Sequence, residues 1–199
     1  FKNPYKTYNT NIMGTLNILK IIKNFNFVKN AIFFTSDKVY ANYNFSKKFS
    51  ENDNLGGDDP YSGSKSASEM VINSYTKSYL NNKKIIILRC GNIIGGGDIN
   101  DNRLIPDIIK SYKDKKKLIV RSKKSTRPWQ YILDVIFILI KILNYLKIKK
   151  KYFDIINIGP EGKNLSVHDV IKEFKVSRQT LKSACNYDII CKGYKWKLK

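Results

Sequence analysis

Two short runs of consecutive apolar residues, AIFF at 31–34 and IIIL at 85–88, constrain this chain more than any other feature. They are too brief for helices and lack the alternation of a half-buried strand. Each reads as a strand covered on both faces, the pattern of a parallel sheet. Parallel neighbours need a crossover, and YSGSKSASEMVINSYTKSYL (61–80) supplies one, with Ala67, Met70, Val71 and Tyr75 at helical spacing behind an Asp pair and Pro60. An earlier helix is predicted over 8–24, with Ile12, Leu16, Ile18, Leu19 and Ile22 near one face. Beyond the second strand come a helix at IPDIIKSYK (105–113), a strand at LIVR (118–121), a helix over 131–146 and a strand at FDIINIG (153–159). This order predicts an α/β chain, a parallel sheet flanked by helices.

Ligands of such sheets bind beyond the carboxyl ends of the strands. Two polar strand ends therefore share one rim, TSDK at 35–38 and CGNIIGGG at 90–97.

Composition narrows the classes. The 199 residues, 42% hydrophobic, suffice for a sizeable core, and the net charge is +21. Clustered Arg and Lys would suggest a phosphate-binding groove, but only 5 of the 37 basic residues are Arg and the Lys are scattered among Asn and Ile. That reads as a compositional bias rather than a dedicated groove, and a basic nucleic-acid-binding module is kept only as an alternative. The stretch VSRQTLKSA (176–184) resembles the second helix of a helix-turn-helix, without a convincing first helix. Cys90, Cys185 and Cys191 are odd in number and lack C-x-x-C spacing, so neither a disulfide framework nor a metal site is expected, and a reducing cytoplasm is. The apolar stretch 131–146 is broken by Asp134 and Lys141 and falls short of the about 20 residues of a membrane span. His168, the only histidine, has no recognisable Ser or Cys nucleophile, which argues against a hydrolase triad.

Chemistry is concentrated at Tyr61 and Lys65, four residues apart on the predicted helix and so on one face. An ammonium beside a phenol favours the phenolate, which lets tyrosine act as a base below its ordinary pKa of about 10. Taken alone, Y-x-x-x-K is a common coincidence.

The context is not. TSDKVYANYNF, ENDNLGGDDPYSGSKSASE, LRCGNIIGGGDINDNRLIPDII and RPWQYILD together resemble the extended short-chain dehydrogenase/reductase family over residues 4–160. GGDDPYSGSK, GNIIGGGD followed by RLIPD, and RPWQ are similar to its CDP-sugar 4,6-dehydratase subgroup rather than to the dTDP-sugar or epimerase relatives. The resemblance implies a Rossmann-like sheet with part of a small substrate-binding domain. Its implied division is 1–94 in the NAD-binding domain, 95–127 in a substrate-binding insertion, 128–159 back in the first domain and 160–199 in a partial tail. It also implies NAD as cofactor, a CDP-sugar as substrate and a dimer or tetramer for the full-length family member.

The same resemblance implies residue roles. Tyr61 would take the proton of the sugar 4-hydroxyl, and Lys65 would lower the tyrosine pKa and hold the nicotinamide ribose. Ser36 would bond the 4-oxygen and Asp37 would protonate the departing 6-hydroxyl. Lys38 occupies the place of a glutamate base in the dTDP-sugar relatives; it acts either as a base of strongly lowered pKa or as a cation that stabilises an enolate, and the adjacent Asp37 tilts towards the cation. Thr35 and Cys90 join Tyr61 and Lys65 on the cofactor, while Asn92, Arg103 and Arg127 are expected on the substrate diphosphate. Gly95, Gly96 and Gly97 are expected to allow a tight turn near the ligand and follow the wrong strand to be a dinucleotide loop. The fingerprint G-x-x-G-x-x-G is absent. The expectation is thus an interior fragment that binds NAD weakly and turns over nothing measurable alone.

Overall fold

The computed structural model describes residues 3–41, 48–120, 122, 124–148, 153–160, 165–166, 190–191 and 194–195. Two compact units emerge, Phe1–Gly91 with Leu139–Ile158, and Asn92–Ile138 with Gly159–Lys199.

The first unit is built on a parallel sheet of β1 (Asn30–Phe34), β2 (Lys84–Cys90) and β6 (Phe153–Ile158) in the order β1-β2-β6. Phe34 pairs with Leu88, and Leu88 with Ile156. Ile85, Ile86, Ile87 and Leu88 are all buried, so both faces of β2 are covered, as its unbroken apolar run requires. One face packs Ile85 and Ile87 against Leu19 and Ile22 of α2 (Gly14–Asn24) and Ile72 of α3 (Pro60–Tyr79). Each such side chain contributes about 1.5–3 kcal/mol by leaving water. Truncating Ile87 to Ala would cost about 2–5 kcal/mol.

The first predicted helix starts earlier and is interrupted. It comprises α1 (Pro4–Tyr8), a π-helical turn (Asn9–Met13) and α2. The π turn shifts the helical phase, and Ile18, expected in the core, is 49% exposed. The Lys83 ammonium donates to the carbonyls of Phe25 and Val28 at 2.8 and 2.9 Å, closing the chain that leaves α2.

α3 opens on a capping box. The Asp59 carboxylate accepts from the Tyr61 and Ser62 amides, and the Ser62 hydroxyl accepts from the Asp59 amide, with Pro60 at the first turn. Its buried surface corrects the sequence expectation. Met70 is exposed, and the buried positions are Ser62, Ser64, Ser66, Ser68, Glu69, Ile72 and Thr76. Small hydroxylated side chains allow close backbone approach and bond locally: Asn11 donates to Ser64, and Ser68 donates to the Asn11 carbonyl.

In the second unit, β3 (Ile93–Ile94) pairs in parallel with β5 (Gln130–Tyr131), and β4 (Thr126–Arg127) antiparallel with β7 (Leu165–Ser166). A further two-residue pair joins β8 (Ile190–Cys191) to β9 (Tyr194–Lys195). α4 (Leu104–Lys113) buries Ile105 and Ile108 among Ile94, Leu118 and Trp129. No strand forms at 118–120. Leu118 is used to cover α4 instead, and Ile119 points to solvent. α5 spans Ile132–Ile148, and within the first unit Lys84 caps it at the Leu146 carbonyl. Among the described residues no helix is long and apolar enough to cross a membrane. His168, Cys185 and the 176–184 stretch lie outside the described residues.

Candidate active site

Past Phe34, β1 runs one residue further before the chain turns. The Thr35 amide donates to the Leu88 carbonyl at 2.9 Å, after which a 3-10 turn (Asp37–Val39) begins with Ser36 as its cap. The Lys38 amide donates to the Ser36 oxygen at 3.2 Å, and the Ser36 hydroxyl donates to Asp37 Oδ1 at 3.1 Å. Ser36 is buried, Asp37 half-buried and Lys38 exposed. The parallel register, carried two residues on, sets Ser36 level with Cys90. Burial pushes the Cys90 thiol up to about 11, and the Asp37 charge adds to the shift.

The helix carrying the tyrosine reaches the same strand end. Lys65 Nζ donates to the Phe34 carbonyl at 3.3 Å, and burial lowers its pKa. Tyr61, one turn earlier, is half-buried. Tyr61, Lys65, Ser36 and Asp37 thus belong to one strand end and the helix turn docked on it. Tyr8 lies close by, its hydroxyl 3.4 Å from where a side chain on Gly63 would begin.

A buried polar cluster lies directly behind and was not anticipated from the sequence. Arg89, in the otherwise apolar β2, meets Glu69 with Nε at 3.0 Å and Nη2 at 2.6 Å from the same carboxylate oxygen. The other Glu69 oxygen accepts the Thr35 hydroxyl at 2.6 Å. Arg89 Nη1 donates to the Glu51 carbonyl, and its guanidinium lies 4.7 Å from the Tyr40 ring centre. Tyr40 donates to Asn157, whose amide donates to Glu51 Oε1 at 2.8 Å. Burial works against the Arg89 charge, and the bonds to Glu69 and Tyr40 outweigh it and raise its pKa. Two signals were legible: a charge inside an apolar strand, and an acid one turn beyond Lys65. The Thr35 hydroxyl is engaged with Glu69 rather than with the open rim.

Asn92, Arg103 and Arg127 belong to the second unit. The Asn92 carbonyl accepts from the Gln130 amide at 2.8 Å, joining the ends of β3 and β5. Arg103 precedes α4, exposed, 3.6 Å from Asp98; Arg127 Nη1 donates to the Thr126 carbonyl. Gly97 adopts φ +80°, the tight turn its neighbours foretold.

Residues 1–159 match the family described as NAD dependent epimerase/dehydratase. The chain belongs to that family. It is 34% identical over 185 residues to CDP-glucose 4,6-dehydratase of Salmonella typhimurium, covering 89% of this chain and 52% of that protein. The fold is similar to dTDP-glucose 4,6-dehydratase of Bacillus anthracis in complex with NAD, at 25% identity and TM-score 0.71 over 85% of this chain and 52% of that one. UDP-glucuronic acid 4-epimerase of Bacillus cereus in complex with UDP-glucuronic acid and NAD matches at 26% identity and TM-score 0.71, over 84% and 51%. The chain spans about half the length of these relatives.

These comparisons identify an extended short-chain dehydrogenase/reductase, a family whose cofactor is NAD. The residues at the β1 end fit one part of that cofactor. A phenol and an ammonium one turn apart, tied to a strand's carboxyl end, are donors for a ribose diol. An open cavity of about 340 Å³ lies beside β1, lined among others by Asn11, Thr15, Ile18, Phe33, Phe34 and Lys65.

Proposed function

We propose that this site dehydrates a CDP-linked glucose to the 4-keto-6-deoxy sugar, as part of a surface-sugar precursor route. The observation that carries the reading is the pairing of Ser36 with Asp37 on the strand end to which Lys65 is tied. Epimerisation at C4 needs a base and a hydride carrier. Loss of water needs, in addition, an acid at the leaving hydroxyl, and Asp37 offers one.

Bound NAD supplies the acceptor and donor of hydride. Tyr61 and Lys65 would hold its nicotinamide ribose, with Thr35 and Cys90 at the strand ends beside it. Tyr61 takes the proton of the 4-hydroxyl as the C4 hydrogen leaves with its electron pair, and Ser36 bonds the resulting ketone oxygen. That ketone acidifies C5. Asp37 gives its proton to the 6-hydroxyl, which departs as water, while a water molecule or another group takes the C5 proton and the Lys38 cation stabilises the enolate charge so formed. Hydride returned at C6 and a proton returned at C5 complete a redox-neutral conversion. Lys38 is exposed, which favours the cationic role over that of a desolvated base. Asn92, Arg103 and Arg127 would bind the diphosphate.

The CDP preference rests on the motifs and on the named Salmonella relative. The test replaces the matching part of that relative with this chain and supplies CDP-glucose, dTDP-glucose and UDP-glucose with NAD. A 4-keto-6-deoxy product from CDP-glucose supports the reading. A C4-inverted hexose would assign the site to epimerisation. The chain by itself is expected to turn over nothing measurable.

A further inference from the structure

We infer that the Glu69–Arg89 pair is a positioning pair that aims both halves of the site at each other, the Tyr61 helix and the Ser36 strand end. The inference deepens the proposed function and rests on it for the identity of the reacting groups.

Tyr61, Lys65 and Glu69 recur at four-residue intervals, so they stack along one side of α3. Two of the three have rungs to β1. Lys65 reaches the Phe34 carbonyl and Glu69 the Thr35 hydroxyl, on successive residues of the strand. Two rungs fix a rotation that one cannot. Arg89 then locks the carboxylate from the side of β2 through a fork, Nε donating to one oxygen at 3.1 Å and Nη2 to the other at 2.6 Å, which holds orientation where a single ammonium would pivot.

The remaining donors of Arg89 extend the lock to the segment returning after the site. Nη1 holds the Glu51 carbonyl, while the Glu51 carboxylate accepts the Asn157 amide. From there the chain pairs back on the turn: Ala41 donates to Asn54 and Gly56 to Val39. The turn containing Ser36, Asp37 and Lys38 is therefore clamped at both ends by groups that converge on one guanidinium. Apolar side chains of equal volume could hold the layers together as well as a buried ion pair does. They could not fix direction, and direction is what a proton donor beside a departing hydroxyl needs.

The experiment compares the 199-residue chain with Glu69→Gln, Arg89→Lys and Thr35→Val by hydrogen exchange at segments 36–41 and 85–88. Expected is exchange faster by about tenfold or more at 36–41 with little change at 85–88, in all three variants. Arg89→Lys is the discriminating case, since it keeps charge and loses the fork. Thr35→Val removes a single hydroxyl, so it reports even if Glu69→Gln fails to fold. Equal loosening of both segments, or wild-type behaviour of Arg89→Lys, overturns the inference. In the chimera, kcat on CDP-glucose should fall about 10²-fold with KM little changed, the scale of a small misplacement. Exchange contrast without any dehydration in the wild-type chimera would sink the dehydratase reading and leave the positioning role standing.

Discussion

The Lys65 ammonium donates to the Phe34 carbonyl at 3.3 Å, two residues before Ser36. One contact thus ties the helix turn bearing the proposed base to the strand delivering its hydroxyl and acid partners. Tyr61→Phe should preserve that tie and remove only the proton acceptor. Its kcat in the chimera is expected to fall by about 10²–10⁴, the usual worth of a positioned base, with KM within a few-fold. Steady-state kinetics on CDP-glucose provides the check, and a change confined to KM would assign Tyr61 to binding.

Lys65 carries a stability cost that depends on pH. Burial lowers its pKa, so the unfolded chain binds more protons than the folded one between the lowered value and the ordinary 10.5. Stability therefore rises with pH across that window; the cost is complete below it and gone above it. Urea midpoints of wild type and Lys65→Met should converge or cross as the pH is raised towards 10.5, with wild type gaining. A constant difference at all pH values would show that Lys65 is not desolvated in the folded chain.

Lys38 can be tested apart from the first hydride step. Starting from a pre-formed 4-keto sugar nucleotide, Lys38→Met should slow exchange of the C5 hydrogen by about 10²–10³, the effect of removing one preorganised stabiliser of an oxyanion. Lys38→Glu should not restore it by charge, although a carboxylate in reach of C5 could act as a base. Exchange at the normal rate in Lys38→Met would remove Lys38 from this step.

Much of this was legible because the strands are short and unbroken. KIIILRC forms the parallel strand covered on both faces, whereas AIFF, expected to be covered likewise, is an edge strand whose Ala31, Ile32 and Phe33 are half-buried and whose Phe34 is exposed. Ser36 and Asp37 follow its carboxyl end, as the parallel-sheet reading expects. The Glu69 cluster stayed hidden because its members are spread over α3, two strands and a loop, each with an innocuous local role. Ser64 and Ser68 were hidden for another reason. Helix periodicity counts apolar residues, and here the close approach of α3 to the π turn is made by serines. No strand forms at 118–120, where Leu118 packs on α4 and Ile119 faces solvent.

Gly57 marks where the site's helix is most tightly seated. Its φ is +143°, and a Cβ there would lie 2.4 Å from the Gly63 amide nitrogen, backbone that cannot move aside. Gly57→Ala should destabilise by about 2–6 kcal/mol, combining strain and overpacking of about 1–3 kcal/mol each. Gly14→Ala is the control, since α2 leaves its Cβ in open space, and should stabilise by about 0.5–1 kcal/mol. Thermal or urea denaturation of the two variants distinguishes them.

Cys90 should be an inert thiol. Its pKa of about 11, against an ordinary 9.0, follows from burial at the end of β2 and from the Asp37 charge. At pH 8 the ionisation deficit alone slows alkylation by roughly 10²-fold, because the thiolate is the nucleophile, and burial slows it further. A thiol whose pKa is raised on folding adds stability that is complete below 9.0 and is lost as pH climbs through about 11. Iodoacetamide treatment at pH 8 followed by peptide mass analysis should find Cys90 unmodified in the folded chain and modified in urea. Asp37→Asn removes the smaller of the two causes, so Cys90 labelling should quicken only modestly. Fast labelling of Cys90 in the wild-type chain would mean that the ends of β1 and β2 stand open to water, and the proposed dehydration site with them.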